Sequence, residues 1–443
     1  MFKTLKNAWK TPELQKKMLF TLFIVLLYRL GACMIVPYVS GDISSQFNQI
    51  YGSSIFGLMG LLSGGALQSA TLFALSVSPY ITASIVMQLL TIAIPALERI
   101  AKDGADGQKK INTITRFVTV ALALVTSVGY SLVLKSQGWL VSKSGVPTWF
   151  IMVVINACFC AGASLVMWLA ELINEKGIGN GISVILCVNI IASFPSFFVS
   201  IFNGIAYGTW WVGLIVAVIV AAVAVAAIGF IIYVTNSERR IPIQYAKRVV
   251  GRKMYGGQAT NLPIKLNMTG VMPIIFASSI VSIPATIATF INNDKNGFVK
   301  FVNNFFGPAT WEYLVVFLVL TVAFSYFYVM ISFNPVEVAN NINSNGGAIP
   351  GHRPGRPTVQ YINRILKRVT LIGAFFLCIV AGVPMLVTVV TTALSNAGVS
   401  VPSGFGVLTF SGSSLLIVVG VVLETIRDLE AQLSLRQSKG FLG

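Results

Sequence analysis

The chain has 443 residues, of which 55% are hydrophobic and only 10% charged, whereas soluble domains carry about a quarter of their residues charged. That composition excludes an ordinary soluble fold. The few charged residues still sum to +17 at pH 7, so where they gather along the chain carries the next inference.

A helix that crosses the hydrocarbon layer needs roughly 20 mostly apolar residues. In chain order, hydropathy predicts spans near 18–36, 72–94, 115–134, 150–172, 182–201, 210–234, 271–290, 311–333, 369–390 and 407–426. The first, Met18 to Val36, is long enough to span and lacks a small-residue cleavage site, so it reads as an anchor and not as a removable signal peptide. Ten spans leave both termini on one side.

Between Ile55 and Pro95 the apolar stretch is too long for one span, and Ser63, Gly64, Gly65, Ala66, Leu67, Gln68 and Ser69 break it. The piece before the break, Ile55 to Leu62, is too short to cross. It is either a re-entrant half-helix, which only protein or a water-filled cavity can surround, or an external loop with apolar residues.

Sorted by loop, 26 of the 31 lysines and arginines fall on one side. The opposite loops hold only Lys135, Lys143, Lys295 and Lys300, with Arg29 inside the first span. The positive-inside rule makes the basic side cytoplasmic, with both termini there. Scattered lysines serve topology and anionic lipid. The loops over 235–268 and 334–368 are different, because they concentrate basic residues on segments with their own turn chemistry, as a partner surface would.

Other chemistry is missing. No GxxxxGK[ST] phosphate loop occurs, and Gly177 to Gly181 (GIGNG) is a tight turn between two spans with no strand before it. The single histidine, His352, cannot form a metal or catalytic pair. The five cysteines, Cys33, Cys158, Cys160, Cys187 and Cys378, lie in apolar stretches and read as small buried hydrophobes. These absences argue against an enzyme and against any bound cofactor. Ion-coupled transporters carry ionisable groups at mid-membrane, whereas Glu171, Glu337 and Glu424 fall at span ends here. A secondary transporter with inverted repeats is thus the runner-up, and a lone insertase needing no partners is a third reading.

The residues then match a family along essentially the whole chain. Phe73 to Leu90 (FALSVSPYITASIVMQLL), Lys102 to Lys110 (KDGADGQKK), Gly177 to Ser183 (GIGNGIS) and Arg239 to Arg248 (RRIPIQYAKR) resemble the SecY/Sec61-alpha family of protein-conducting channels. So do Met272 to Ser279 (MPIIFASS), Phe333 to Glu337 (FNPVE) and Ile349 to Thr358 (IPGHRPGRPT), in the same order and spacing. His352 departs from the family's usual apolar residue, and Gln108 from its usual basic one.

The resemblance implies an all-α polytopic fold of ten transmembrane helices in two inverted five-helix halves, 1–205 and 206–443, hinged between spans five and six. It implies a pore ring of Val77, Ile81, Leu186, Ile190, Ile275 and Ile417. Val77/Ile81 and Leu186/Ile190 are each four apart and so share a helix face. It implies a re-entrant plug near 55–70, carrying Phe56, Gly57, Leu58, Met59, Leu61, Leu62, Ser63, Gly64 and Gly65. A lateral opening would lie between spans two and seven. Motor or ribosome docking would fall to Arg239, Arg240, Lys247, Arg248, Arg353 and Arg356. Expected partners are SecE-like and SecG-like small membrane subunits, a SecA ATPase, the ribosome, signal sequences and polypeptides in transit across the bacterial cytoplasmic membrane.

Overall fold

The fold, obtained as a computed structural model, is described for residues 6, 8–40, 43–44, 46–47, 60, 63–141, 146–206, 210–245, 248–250, 253–255, 259–291, 297–307, 310–396 and 412–439. Of the expected plug, Phe56, Gly57, Leu58, Met59, Leu61 and Leu62 lie outside the described residues, as does Lys247.

Each expected span overlaps a helix. They are α1 (Pro12–Cys33), α2 (Ser78–Ala93), α4 (Ala105–Ser136), α5 (Thr148–Lys176), α6 (Gly181–Ala206), α7 (Trp210–Asn236), α8 (Met272–Ile291), α10 (Trp311–Ser332), α12 (Arg356–Asn396) and α13 (Gly412–Lys439). Among the described residues, shorter helices between them are α3 (Pro95–Lys102), α9 (Gly297–Phe305) and α11 (Pro335–Ser344). Among the described residues, helical segments over Ala105–Ser136, Thr148–Lys176, Trp311–Ser344 and Arg356–Leu394 are long and apolar enough to cross a membrane unaided. Helix α2 joins α3 at a bend of 101°, because Pro95 cannot continue the ladder and holds Ile94 extended.

One expectation needs correction. The fold is mostly helical but not all-α: β1 (Glu238–Tyr245), β4 (Ala259–Lys265) and β5 (Gly347–Ala348) form a three-stranded sheet in the order β4-β1-β5, and β2 (Arg248–Val250) pairs with β3 (Lys253–Tyr255). In β1 only Ile241 and Ile243 are buried, a period of two that a span-length hydropathy window averages away. The two basic loops are also not separate, since Gln244 of β1 pairs with Ala348 of β5. Beneath the sheet, Ile241, Ile243 and Ile264 pack with Ile342, Ile349, Ile362 and Leu366 in one apolar core.

Helix packing arranges the rest. Helix α8 lies against both α2 and α4, α10 against α8 and α12, and α13 against α6, α7 and α12. A central core draws on all these helices except α4.

Candidate functional site

Six aliphatic side chains far apart in sequence converge at the centre. Val77 immediately precedes α2, whose first turn carries Pro79, a residue preorganised for a helix start. Ile81 follows one turn later. Leu186 and Ile190 come from α6, Ile275 from the first turn of α8 and Ile417 from α13. All six belong to one buried apolar cluster and none is more than 9% exposed. Pro195 and Pro284 interrupt the ladders of α6 and α8 beyond these positions, and interior prolines kink a helix.

Leading into α2, residues 63–77 run as successive turns packed under the cluster. Gly64 is left-handed at φ +65°, and the Gly65 N–H donates to the Gly60 carbonyl at 2.9 Å. A left-handed glycine followed by such a six-to-one bond is how a helix is terminated. The Ser63 hydroxyl donates to the same Gly60 carbonyl and accepts from the Leu67 N–H. A Cβ on Gly64 would stand 3.0 Å from the Asn189 carbonyl and 3.2 Å from Arg29 Nη1, so this turn is seated directly on α6 beside Ile190.

A polar trio at the same level escaped the sequence reading. Asn189 Nδ2 donates to Ser76 Oγ at 3.0 Å, and Tyr28 Oη lies 3.3 Å from the same oxygen. Asn189 is fully buried, and its Oδ1 has no protein partner among the described residues, at a cost of about 1–3 kcal/mol. The signal was a lone amide flanked by Leu186 and Ile190 in an apolar span.

Ile275 also borders a cavity of about 580 Å³ lined by both apolar and charged residues, with Val271, Lys265, Glu424, Arg427 and Asp428 in its wall. Burial pushes the Lys265 ammonium below the usual lysine range; Arg427 adds to the shift and Glu238 opposes it. Arg427 is held by the Thr235 carbonyl at 3.0 Å and Asn236 Oδ1 at 2.8 Å.

The expected docking residues are carried by the sheet and its flanking loop. Arg239 and Arg240 are exposed on β1, and Arg240 Nε is 2.7 Å from Glu238 Oε1. Arg248 opens β2. Arg353 and Arg356 are exposed at the start of α12. Thr358 Oγ1 donates to the Arg353 carbonyl at 2.8 Å, and the His352 ring lies 4.0 Å from that of Tyr361. All five cysteines are free, and Cys33 is exposed where burial was expected, because it closes α1 at an outward-facing position. The described residues hold no group of three or more metal-ligating side chains.

The SecY family model matches residues 71–426. Protein translocase subunit SecY of Streptomyces coelicolor is 42% identical, over 100% of both chains. A solved SecY structure, whose plug domain stabilises the closed state of the translocation channel and maintains a membrane seal, superposes with a TM-score of 0.62 at 16% identity, covering 94% of this chain and 92% of that one. Sec61 in a canine ribosome-channel complex superposes with a TM-score of 0.57 at 16% identity over the same shares. A family model that matches most of the chain, a full-length relative at 42% identity and a shared fold agree: the chain belongs to the SecY family.

Proposed function

We propose that this membrane protein is the channel-forming subunit through which unfolded polypeptides cross, or move sideways into, the cytoplasmic membrane. The observation that carries this reading is the convergence of six aliphatic side chains from the α2 entrance, α6, α8 and α13 in one buried cluster, with a partly charged cavity bordering Ile275 and a capped turn seated on α6 beside Ile190.

An extended chain cannot leave its amides unpaired in lipid, so it needs a passage through protein. Between substrates that passage must not leak ions. A ring of alkyl groups excludes water by dewetting, and it yields to many side chains because it makes no specific polar contact. Val77, Ile81, Leu186, Ile190, Ile275 and Ile417 form that ring. Ser63, Gly64 and Gly65 end the plug, a reading supported by the terminating bond to Gly60. The contact between α2 and α8 fits a closed lateral gate, through which an apolar signal would partition to lipid at roughly 25 cal/mol per Å².

The ten helices divide into halves at 1–205 and 206–443, with both termini cytoplasmic. SecE-like and SecG-like subunits clasp the halves, and a SecA ATPase or the ribosome, docked on the basic sheet, supplies the energy. Arg239, Arg240, Lys247, Arg248, Arg353 and Arg356 form that docking surface.

The test is to stall an export substrate and place a photo-crosslinker at Ile190 or Ile275. Both should capture the substrate. Ile155, fully buried elsewhere in α5, should not. Capture at Ile155 alone, or at none, would overturn the reading. Single cysteines at Lys135 and Lys300 should label from outside sealed cells, and ones at Arg240 and Arg356 should not.

A further inference from the structure

The glycine turn from Gly177 to Gly181 hands α6 its starting position, so it sets where Leu186 and Ile190 point. It is gripped from two sides. From α1, Thr21 Oγ1 accepts the Ile178 N–H at 3.1 Å. From α13, Asp428 Oδ2 accepts the Gly179 N–H at 3.1 Å and Gln432 Nε2 at 3.3 Å. Gln432 Oε1 in turn accepts from Lys17 Nζ at 3.1 Å. Under these bonds Ile178 is buried with Ala8, Leu14 and Leu429. Gly179 is left-handed at φ +77°, and a Cβ there would stand 2.9 Å from Thr425 Oγ1, so only glycine lets the turn lie this close to α13.

Asp428 lies about three turns beyond Ile417 on the same helix. The helix that carries one waist residue is therefore tied by a carboxylate to the turn that aims two others. The tie also crosses from one proposed half of the molecule to the other. We infer that Asp428 is a positioning residue of the gate: its carboxylate pins the α5–α6 turn to α13 and so holds Leu186, Ile190 and Ile417 in the closed arrangement. Parting the halves stretches this tie, so its loss shifts the balance toward the open state. Hydrogen bonds to an ionised acceptor are about twice as strong as neutral ones, which suits a half-buried carboxylate to the task. The inference rests on the waist reading given above.

The test uses the assembled channel in its membrane and two export reporters, one with an intact signal and one whose signal has lost part of its apolar core. At equal channel abundance, Asp428→Ala should raise export of the weakened reporter at least tenfold, the lower end of what a hydrogen bond to a charged group is worth. Export of the intact reporter should stay unchanged. Asp428→Asn keeps an acceptor oxygen but loses the charge, so it should fall between the parent and Asp428→Ala. Gly179→Ala reaches the same junction from the turn side and should relax discrimination as Asp428→Ala does. A merely structural role would instead lower both reporters together with channel abundance, and that result overturns the inference. Ile275→Asn, run alongside, separates the two levels of the argument. If it relaxes discrimination while Asp428→Ala and Gly179→Ala do not, the pinning role fails and the waist stands. If none of the three relaxes it, the waist reading fails and the pinning role with it.

Discussion

The proposed waist and the basic sheet both bury isoleucines, yet they are built on opposite principles. At the proposed waist, aliphatic side chains come from four separate parts of the chain into one buried cluster, and no strand ladder among the described residues sets one of those parts against another, so shape is shared and individual identity matters little. In the sheet, strand register does the fixing: Ile241 faces Leu262 and Gln244 faces Ala348, and the apolar core beneath merely locks what the backbone ladder has set. A gate that must deform around many substrates suits the first construction. A surface that must hold guanidinium groups at set positions for a partner suits the second. The difference teaches that in this molecule side-chain packing and strand register are used in different places, packing in the central cluster and register in the basic sheet.

That contrast can be broken most forcefully in the sheet. Ile264 is fully buried in the core beneath it, so Ile264→Ala should cost about 2–5 kcal/mol of local stability. The measurement is limited proteolysis of purified channel: cleavage within 235–268 should accelerate while the transmembrane helices stay protected. Unchanged cleavage would mean that the two loops do not depend on their common core.

The next effect belongs to the waist. Ile275→Asn puts an amide into the ring, gives water a foothold and weakens dewetting. A bias of roughly 1.4 kcal/mol changes the open population about tenfold, read as export of a reporter with a weakened signal. Equal export by Ile275→Asn and the parent, at equal channel abundance, removes Ile275 from the gate.

A smaller change should follow at the docking surface. Arg353→Lys keeps the charge but loses the planar fork that pairs bidentately with a carboxylate, and Pro354 and Pro357 stiffen the loop that presents it. Export driven by the cytosolic motor should fall several-fold, with membrane insertion of the channel itself normal. Parental export would leave Arg353 with a role in topology alone. The smallest effect is reserved for Ile275→Leu, which keeps volume and polarity and should cost less than about 1.5 kcal/mol. Signal discrimination by that variant should match the parent. A large effect there would show that the waist is as exacting as the sheet, and the contrast would collapse.

The helices were legible because each hydrophobic run reports its own burial: the expected segments near 115–134 and 150–172 fall inside α4 and α5, and that near 311–333 matches α10 to within one residue. Their ends were less so. Residues 105–114 carry too many polar groups to register as a span, yet they continue α4 without a break, since nothing in them breaks a helix once Gly104 has been passed.

By itself the sequence determined that the protein is membrane-embedded, and it placed four of the waist candidates in two pairs spaced four apart, because these follow from local hydropathy and a period of 3.6. Only the tertiary structure decided that Gln244 pairs with Ala348 across more than a hundred residues, that Tyr28, Ser76 and Asn189 meet, and that Asp428 reaches the Gly179 amide. Each of these is a contact between segments remote in the chain. A residue's propensity and hydropathy report what it would bury, whereas its partner is chosen by the packing of every helix that lies between them.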